Sequence, residues 1–307
     1  MSRALFYRGA TALAALAVAA VVVLPGSASV QHAVAGPVST VAASQHDDLP
    51  TTPAPAPAKY VALGSSYAAG PDGPESLSNR CLRTSDNYPH QVAGALGMTL
   101  IDATCSGATT RNILSVPQRF TARPQIDAVT PDTSLVTITT GGNDVGYVQR
   151  LLAMSCRNVT PAVAKEVAAR TCALGHPIAE PGPERFAEAE WAMYETALAV
   201  KARAPHARVV FVDYPPVVLA GERACPLLPL KPEELAATVR VYDELAAATA
   251  RAAESSGSQL VRTAPAATGH TVCASDPWLN GFELPIPYHP NDAGKSGVAS
   301  LVIDALR

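Results

Sequence analysis

Four short segments of the sequence carry the residue types that nucleophilic catalysis by a serine needs. The first is an apolar run, Tyr60–Gly70, that is interrupted by Gly64, Ser65 and Ser66. This pattern is typical of a buried strand that delivers a serine onto a tight turn. The other three follow along the chain: Cys105–Gly107, Gly141–Asp144 and Tyr288–Asn291. In this order the segments supply a nucleophile, two candidate oxyanion donors and a base.

Ser66 is the candidate nucleophile, and a serine reacts at neutral pH only when a base accepts its proton. The candidate base is His289, because imidazole titrates near neutrality. Of the seven histidines it alone stands beside a proline just before a terminal helical pattern, Gly297–Leu306. The oxyanion donors would be the backbone N–H groups of Ser66 and Gly107 and the side-chain amide of Asn143. The alternatives are a plain turn at Gly107 and a helix N-cap at residues 143–144.

These segments resemble the signature of the SGNH (GDSL-type) hydrolase family. That signature contains a serine in Gly-Asp-Ser, then a glycine, an asparagine in Gly-x-Asn-Asp and a late histidine. The matching residues are Ser66, Gly107, Asn143 and His289, within a resemblance over roughly residues 59–307. The resemblance is closest to the secreted actinobacterial esterases and lipases, which carry six cysteines. It implies a carboxylic ester hydrolase that needs no cofactor.

The sequence departs from the family pattern at two positions. Ser65 stands where most members have an aspartate before the nucleophile. Ile286 stands three residues before His289, where most members have the acid of a triad. Some relatives orient the histidine through a backbone carbonyl at that place, so the resemblance implies a Ser–His dyad with the Ile286 carbonyl as the orienting group. Three carboxylates remain as alternatives: Asp276, Glu283 and Asp292.

The elements that must position these residues alternate between strand and helix patterns. Alternation of this kind predicts a parallel sheet covered on both faces, an α/β three-layer sandwich with roughly five strands, as in SGNH and flavodoxin-like folds. Ligands of such sheets bind beyond the carboxyl ends of the strands, so one crevice would collect the segments that follow them. The predicted strands are Tyr60–Leu63, Thr99–Asp102, Leu135–Thr139, Val209–Val212 and Gln259–Val261. The predicted helices are Tyr88–Leu96, Glu184–Ala204 and Glu233–Glu254, with Gly297–Leu306 at the end.

Two segments lack such regular patterns. Residues 144–184 contain two cysteines and several prolines and are predicted to form an irregular, disulfide-pinned insertion. The loop at residues 277–287 is apolar and directly precedes His289. Its side chains would either line an acyl pocket or seal the core. They are Trp278, Leu279, Phe282, Leu284 and Ile286.

The first 58 residues differ in composition from the rest of the chain. Arg3 and Arg8 precede the apolar run Ala10–Leu24. At about 15 residues this run is shorter than the roughly 20 that a membrane-spanning helix needs, which favours a signal peptide at residues 1–35 over an anchor. Residues 36–58 are rich in Pro, Ala and Thr and are predicted to be a linker. The hydrolase domain would be residues 59–307, secreted or held at the cell envelope.

The composition excludes some partners and indicates an oxidising compartment. The chain has 307 residues, a formal net charge of −3 and 16% charged residues, so it gives no sign of nucleic-acid binding. An even count of six cysteines in an exported chain favours three disulfides, although the count alone allows fifteen connectivities. The family resemblance implies sequential pairing. No metal-ligand spacing occurs, so neither a metal nor another cofactor is expected. The implied pairs are Cys81–Cys105, Cys156–Cys172 and Cys225–Cys273.

The function expected from the sequence is that of a secreted serine esterase or lipase. Its substrate would be a small-molecule or lipid ester, with fatty acyl esters favoured by the apolar loop before His289. One alternative is a carbohydrate O-acetylesterase, which the same family contains. Another is a catalytically inactive module that binds the cell envelope at the end of the linker. A monomer is expected.

Overall fold

A single parallel sheet forms the centre of the domain in the computed structural model, which describes residues 56–73, 75–159, 172 and 178–307. Its strand order is β2-β1-β3-β4-β5, and each neighbouring pair is parallel. All five predicted strands are present, two of them with the predicted bounds. The strands are β1 (Lys59–Gly64), β2 (Thr99–Asp102), β3 (Thr133–Thr139), β4 (Arg208–Val212) and β5 (Gln259–Val261).

Helices cover both faces of this sheet, as predicted. Successive side chains of β1 point to opposite faces, so Val61 and Leu63 pack in one apolar cluster while Tyr60 packs in a second. The helices are α1 (Ser66–Ala69), α2 (Tyr88–Leu96), α3 (Thr110–Leu114), α4 (Tyr147–Asn158), α5 (Pro183–Arg203), α6 (Pro232–Ser255) and α7 (Asp292–Leu306). Side chains of α5 and α6 complete the first cluster, and side chains of α2 and α7 complete the second. The predicted three-layer α/β/α sandwich is confirmed.

Local sequence signals set the bounds of the helices that frame the site. The side chain of Asn87 accepts the backbone N–H of His90 at the start of α2, and Gly97 ends that helix in the left-handed conformation. Asn291 caps α7 in the same way by accepting the N–H of Gly294. The helix α7 therefore begins three residues after His289, which fixes the direction in which the chain leaves the histidine.

The predicted irregular insertion is wrong in its first part. Residues 147–158 form α4, whose apolar side chains Leu151 and Met154 pack into the core. The apolar side chains of this segment have the spacing of an amphipathic helix, and Cys156 near its end does not interrupt that helix. Residues 160–171 and 173–177 lie outside the described residues.

Disulfide pairing follows the prediction. The three bonds join Cys81 to Cys105, Cys156 to Cys172 and Cys225 to Cys273. Disulfides of this number are typical of proteins that fold in an oxidising compartment. The predicted signal peptide and almost all of the predicted linker lie outside the described residues. Among the helices that the structure describes, none is long and apolar enough to cross a bilayer.

Candidate active site

The candidate residues meet at the carboxyl edge of the sheet, where the strand order reverses around β1. Such a switch point opens a crevice in parallel sheets. Ser66 follows β1, Gly107 follows β2 and Asn143 follows β3. Direct hydrogen bonds tie these turns together, because the Cys105 N–H donates to the Gly64 carbonyl at 3.0 Å and the Ser65 N–H donates to the Thr139 carbonyl at 3.0 Å.

Ser66 is the first residue of α1 and is largely buried. The turn before it requires glycine, since a Cβ on Gly64 would lie 2.5 Å from the carbonyl oxygen of Thr139 and the residue has a φ of 155°. The side chain of Gln125 holds the same peptide from the other side. Its amide accepts the Gly64 N–H at 2.8 Å and donates to the Gly64 carbonyl at 2.9 Å. The nucleophile candidate therefore stands on a backbone fixed from two sides.

The ring of His289 reaches Ser66 directly. Its Nε2 lies 2.8 Å from the Ser66 Oγ. The histidine segment is held by backbone pairing, because the Asn280 N–H donates to the His289 carbonyl at 2.9 Å and Leu279 pairs with Pro290 in an antiparallel bridge. The chain segment that precedes the histidine thus forms the support on which it rests.

The group that orients His289 is a backbone carbonyl, but it belongs to Pro287 and not to Ile286. Nδ1 of His289 lies 2.8 Å from the Pro287 oxygen. Tyr288, between the two, has a φ of 60°, in the left-handed region. This turn reverses the chain within one residue and directs the Pro287 carbonyl toward the ring. The predicted residue, Ile286, is therefore wrong by one position, and the kind of contact is a backbone carbonyl as predicted.

None of the three alternative carboxylates contacts the His289 ring, and no other carboxylate of the described residues does. Asp276 faces the ring of His270 at 3.5 Å. Glu283 is exposed and accepts the N–H of Gly281 within its own loop at 3.3 Å. The Asp292 side chain is 87% exposed and contacts Lys295 at 3.2 Å. The ring is therefore oriented by an uncharged acceptor.

Burial determines the charge of His289. Loss of solvent lowers the pKa of the ring to about 4, and the hydrogen bond to the Pro287 carbonyl opposes that shift only in part. The imidazole is thus neutral at neutral pH. Because its Nδ1–H donates to Pro287, Nε2 carries the lone pair and accepts the hydroxyl proton of Ser66. This arrangement can remove a proton from the serine.

Hydrogen-bond donors remain available in the turns that follow β1, β2 and β3. In the described part of the chain, the backbone N–H groups of Ser66 and Gly107 have no acceptor. The amide of Asn143 is oriented at both ends, since Nδ2 donates to the Ala108 carbonyl at 2.8 Å and Oδ1 accepts from Gln149 at 2.7 Å. One N–H of that amide remains for another acceptor. Two backbone N–H groups and one amide N–H are thus available to another acceptor, and their role as oxyanion donors stays a prediction.

Neither Asn143 nor Asp144 is the N-cap of the helix that follows them, because Gly146 occupies that position at the start of α4. Asp144 instead contacts the start of α3. Its carboxylate accepts both the backbone N–H and the hydroxyl of Thr110 at the start of α3, at 2.7 to 3.2 Å. The predicted alternative of a helix N-cap at residues 143–144 is therefore wrong.

Comparison with known proteins identifies the family. The sequence model of the GDSL-like lipase/acylhydrolase family matches residues 62–296. Lipase 2 of Streptomyces coelicolor is 35% identical over 260 residues, which cover 80% of this chain and 85% of that protein. The chain belongs to the GDSL-like lipase/acylhydrolase family. The resemblance predicted from the four segments is confirmed, and so is the expected class of carboxylic ester hydrolase.

Two solved structures of related proteins share the fold. The extracellular lipase of Streptomyces rimosus matches with a TM-score of 0.62 at 29% identity, covering 80% of this chain and 99% of that one. Phospholipase A1 of Streptomyces albidoflavus matches with a TM-score of 0.61 at 28% identity, covering 82% and 99%. Both matches extend over nearly the whole of each relative, so this GDSL-family chain resembles them as complete domains.

The sequence did not point to several residues that support the family site. The hydroxyl of Tyr67 donates to the Tyr288 carbonyl at 2.7 Å and so links the residue after the serine to the residue before the histidine. Lys295 is buried and binds Asp72 and Asp86. Proximity in sequence to Ser66 and His289 was the available signal for both tyrosines. Lys295 carried no signal, because a lysine on a terminal helix is usually exposed.

The apolar loop before His289 divides between the two predicted roles. Leu279 and Phe282 are buried in the core, and Trp278 packs over Gly294 and Gly297 of α7. For Leu279 and Phe282 the sealing role is confirmed, whereas Trp278 is half-buried and lies outside the core cluster. Leu284 is 38% exposed, and Ile286 is half-buried. These two side chains remain at the surface, within five residues of His289 in the sequence.

Titration of His289 followed by NMR should give a midpoint near pH 4, because burial disfavours the charged ring. In the unfolded chain the same residue should titrate near 6.5. Since the unfolded state takes up the proton first, this histidine should make folding less favourable as the pH falls from about 6.5 to about 4. His289→Gln identifies the signal. A midpoint close to 6.5 in the folded protein would contradict the buried neutral ring.

Proposed function

We propose that this protein is a secreted serine hydrolase that cleaves fatty acyl esters through a dyad of Ser66 and His289. The observation that carries the proposal is the 2.8 Å hydrogen bond between the Ser66 Oγ and the His289 Nε2. It lies beside two backbone N–H groups that lack acceptors among the described residues. A hydroxyl, a neutral base and unpaired donors in one place are the set that acyl transfer requires.

In the proposed reaction the Ser66 oxygen attacks the ester carbonyl while Nε2 of His289 removes its proton. The charge that forms on the ring is stabilised by the Pro287 carbonyl, which accepts from Nδ1 at 2.8 Å. The oxyanion of the tetrahedral intermediate is bound by the N–H groups of Ser66 and Gly107 and by the Asn143 amide. His289 then gives its proton to the departing alcohol, and water hydrolyses the acyl-enzyme with the same residue as base.

Fatty acyl esters are favoured over acetyl esters of carbohydrates for two reasons. The relatives that match over most of their length are described as lipases and as a phospholipase A1. Leu284 and Ile286 also present apolar surface close to His289. The inactive envelope-binding alternative has less support, because none of the four family residues is replaced.

Export is proposed from the predicted signal peptide at residues 1–35. The three disulfides and the extracellular relative from Streptomyces rimosus support it. Retention at the cell envelope through the linker at residues 36–58, and a monomeric state, remain predictions.

Ser66→Ala should abolish ester hydrolysis and labelling by a fluorophosphonate probe, because only the hydroxyl can form the acyl-enzyme. His289→Ala should lower turnover nearly as far, and the double variant should lose little more, since the two residues act as one unit. Ser78→Ala, at an exposed serine whose hydroxyl contacts only the Glu75 carbonyl, is the matched control and should keep its labelling. Turnover near wild type in the Ser66 variant would rule out the serine mechanism.

Asn143→Ala should lower kcat by about 10²–10³-fold with a smaller change in KM, as expected for one lost oxyanion donor. Gln149→Ala, which only frees the Asn143 amide to rotate, should have a smaller effect in the same direction. Steady-state kinetics with a soluble nitrophenyl ester measures both. A rise in KM alone would make Asn143 a substrate-binding residue instead.

Asp276→Asn, Glu283→Gln and Asp292→Asn should each retain activity within about tenfold of wild type, because the Pro287 carbonyl orients the ring without them. Loss of the acid from a true triad costs about 10⁴-fold. Circular dichroism checks that each variant is folded. A thousandfold loss in one folded variant would reveal a third member and overturn the dyad.

A series of nitrophenyl esters of increasing acyl length should give kcat/KM values that rise beyond acetate. An O-acetylesterase would instead have its maximum at acetate. Leu284→Ser should reduce the preference for long chains by about tenfold and leave acetate hydrolysis unchanged. Leu198→Ser, at a similarly exposed leucine on α5, is the matched control.

A further inference from the structure

We propose that an arginine-rich patch beside the catalytic site docks the enzyme onto an anionic lipid surface. The patch consists of Arg80, Arg119, Phe120 and Arg123. This docking proposal rests on the proposed function only for the choice of a lipid surface, since an enzyme that cleaves fatty acyl esters meets its substrate in lipid assemblies. Its geometry and charge are independent of that function.

An exposed aromatic ring stands at the centre of the patch. Phe120 is 53% exposed. The guanidinium carbons of Arg80 and Arg119 lie 5.5 and 5.6 Å from its ring centroid. The two arginines come from different chain segments and converge on the same side chain, which is the arrangement of a cation–π cluster. An aromatic ring with cationic neighbours suits the boundary between lipid headgroups and acyl chains.

The positive charge of the patch is not neutralised. Within the described ranges, Arg80, Arg119 and Arg123 form no ion pair, whereas Arg240 and Arg251 pair with glutamates. Arg83 adds a further positive charge, because its guanidinium donates to the carbonyls of residues 102 and 104 and not to a carboxylate.

A cleft of about 450 Å³ extends the patch toward the sheet. It is lined by Arg80, Arg83, Phe120 and Arg123 together with the single carboxylate Asp127. Three arginines thus line the cleft together with one acidic side chain. The whole chain carries a formal net charge of −3, so the positive charge is a local feature and not a general one.

The patch is joined directly to the turn at Cys105–Gly107, which contains the candidate oxyanion donor Gly107. The Ser106 N–H donates to the Cys81 carbonyl at 2.9 Å, and the side chain of Gln118 donates to the Ser106 carbonyl at 3.1 Å. Cys81 is also bonded to Cys105. Both segments that carry the arginines are therefore fixed to the residue that precedes Gly107. A lipid surface held at the patch would present ester groups beside the candidate oxyanion donors.

Phosphate headgroups fit these side chains. Arginine guanidinium groups bind phosphate oxygens through paired hydrogen bonds, and each arginine near an anionic membrane strengthens binding by about fivefold. Phe120 would contribute by inserting its ring between headgroups. An anionic phospholipid surface is therefore the partner whose charge and apolarity match the patch.

The test measures co-sedimentation with lipid vesicles in the Ser66→Ala background, where the lipid is not hydrolysed. Vesicles of phosphatidylcholine mixed with phosphatidylglycerol should bind the protein far better than vesicles of phosphatidylcholine alone. Replacing Arg80, Arg119 and Arg123 together by Gln should weaken binding to the mixed vesicles by about 100-fold. Phe120→Ser should weaken binding to them at every salt concentration, while added salt should weaken the arginine contribution.

Matched controls lie on α5, which ends at the opposite edge of the sheet. Arg203→Gln removes an exposed arginine, and Trp191→Ser removes an aromatic side chain that is 60% exposed. Both should bind vesicles normally. Equal binding to the two kinds of vesicle, or equal losses in the patch and control variants, would overturn the proposal.

Hydrolysis of a soluble nitrophenyl ester separates this proposal from the proposed function. With Ser66 intact, the patch variants should hydrolyse that ester at the wild-type rate, which also shows that they are folded. Absence of ester hydrolysis in the wild type would reject the catalytic proposal and leave the vesicle result to decide the docking surface by itself.

Discussion

The hydrogen bond between Ser66 and His289 joins residues that are 223 positions apart in sequence, and the rest of the domain serves to keep them within 2.8 Å. A contact of this kind tolerates little displacement, since a base must lie within hydrogen-bond reach of the proton that it removes. The parallel sheet fixes the serine, because β1 is a central strand whose last peptide is held on both sides. The histidine stands on a loop and needs separate support.

Lys295 supplies part of that support from the helix that follows the histidine. It lies in the first turn of α7 and is almost fully buried, yet its ammonium binds Asp72, which follows the turn after the serine. Asp86, before α2, binds the same ammonium at 2.8 Å. Although burial alone would lower the pKa of Lys295, these carboxylates raise it, so the lysine stays charged. One ion-pair cluster thus connects the nucleophile segment with the base segment.

The fold and the four catalytic candidates could be predicted because each depends on local pattern. Buried strands ending in glycine and serine are visible in sequence, and parallel strands bring their carboxyl ends to one edge. The sequence predicts the orienting carbonyl at Ile286 and not at Pro287, because the left-handed conformation of Tyr288 depends on tertiary contacts such as the Tyr67 hydroxyl. The burial of Lys295 is not predictable from local sequence either, because its partners Asp72 and Asp86 are distant in sequence.

Ser65, which stands where most family members have an aspartate, forms a hydrogen bond with Tyr214. Its hydroxyl lies 2.7 Å from the hydroxyl of Tyr214, and burial raises the pKa of that tyrosine, so both groups remain neutral. The Tyr214 ring in turn occupies the space that a Cβ at residue 142 would need, which makes Gly142 necessary beside Asn143. An aspartate at residue 65 would place a buried negative charge next to the turn where the oxyanion is proposed to form. The neutral pair fixes that turn without opposing the charge that develops there.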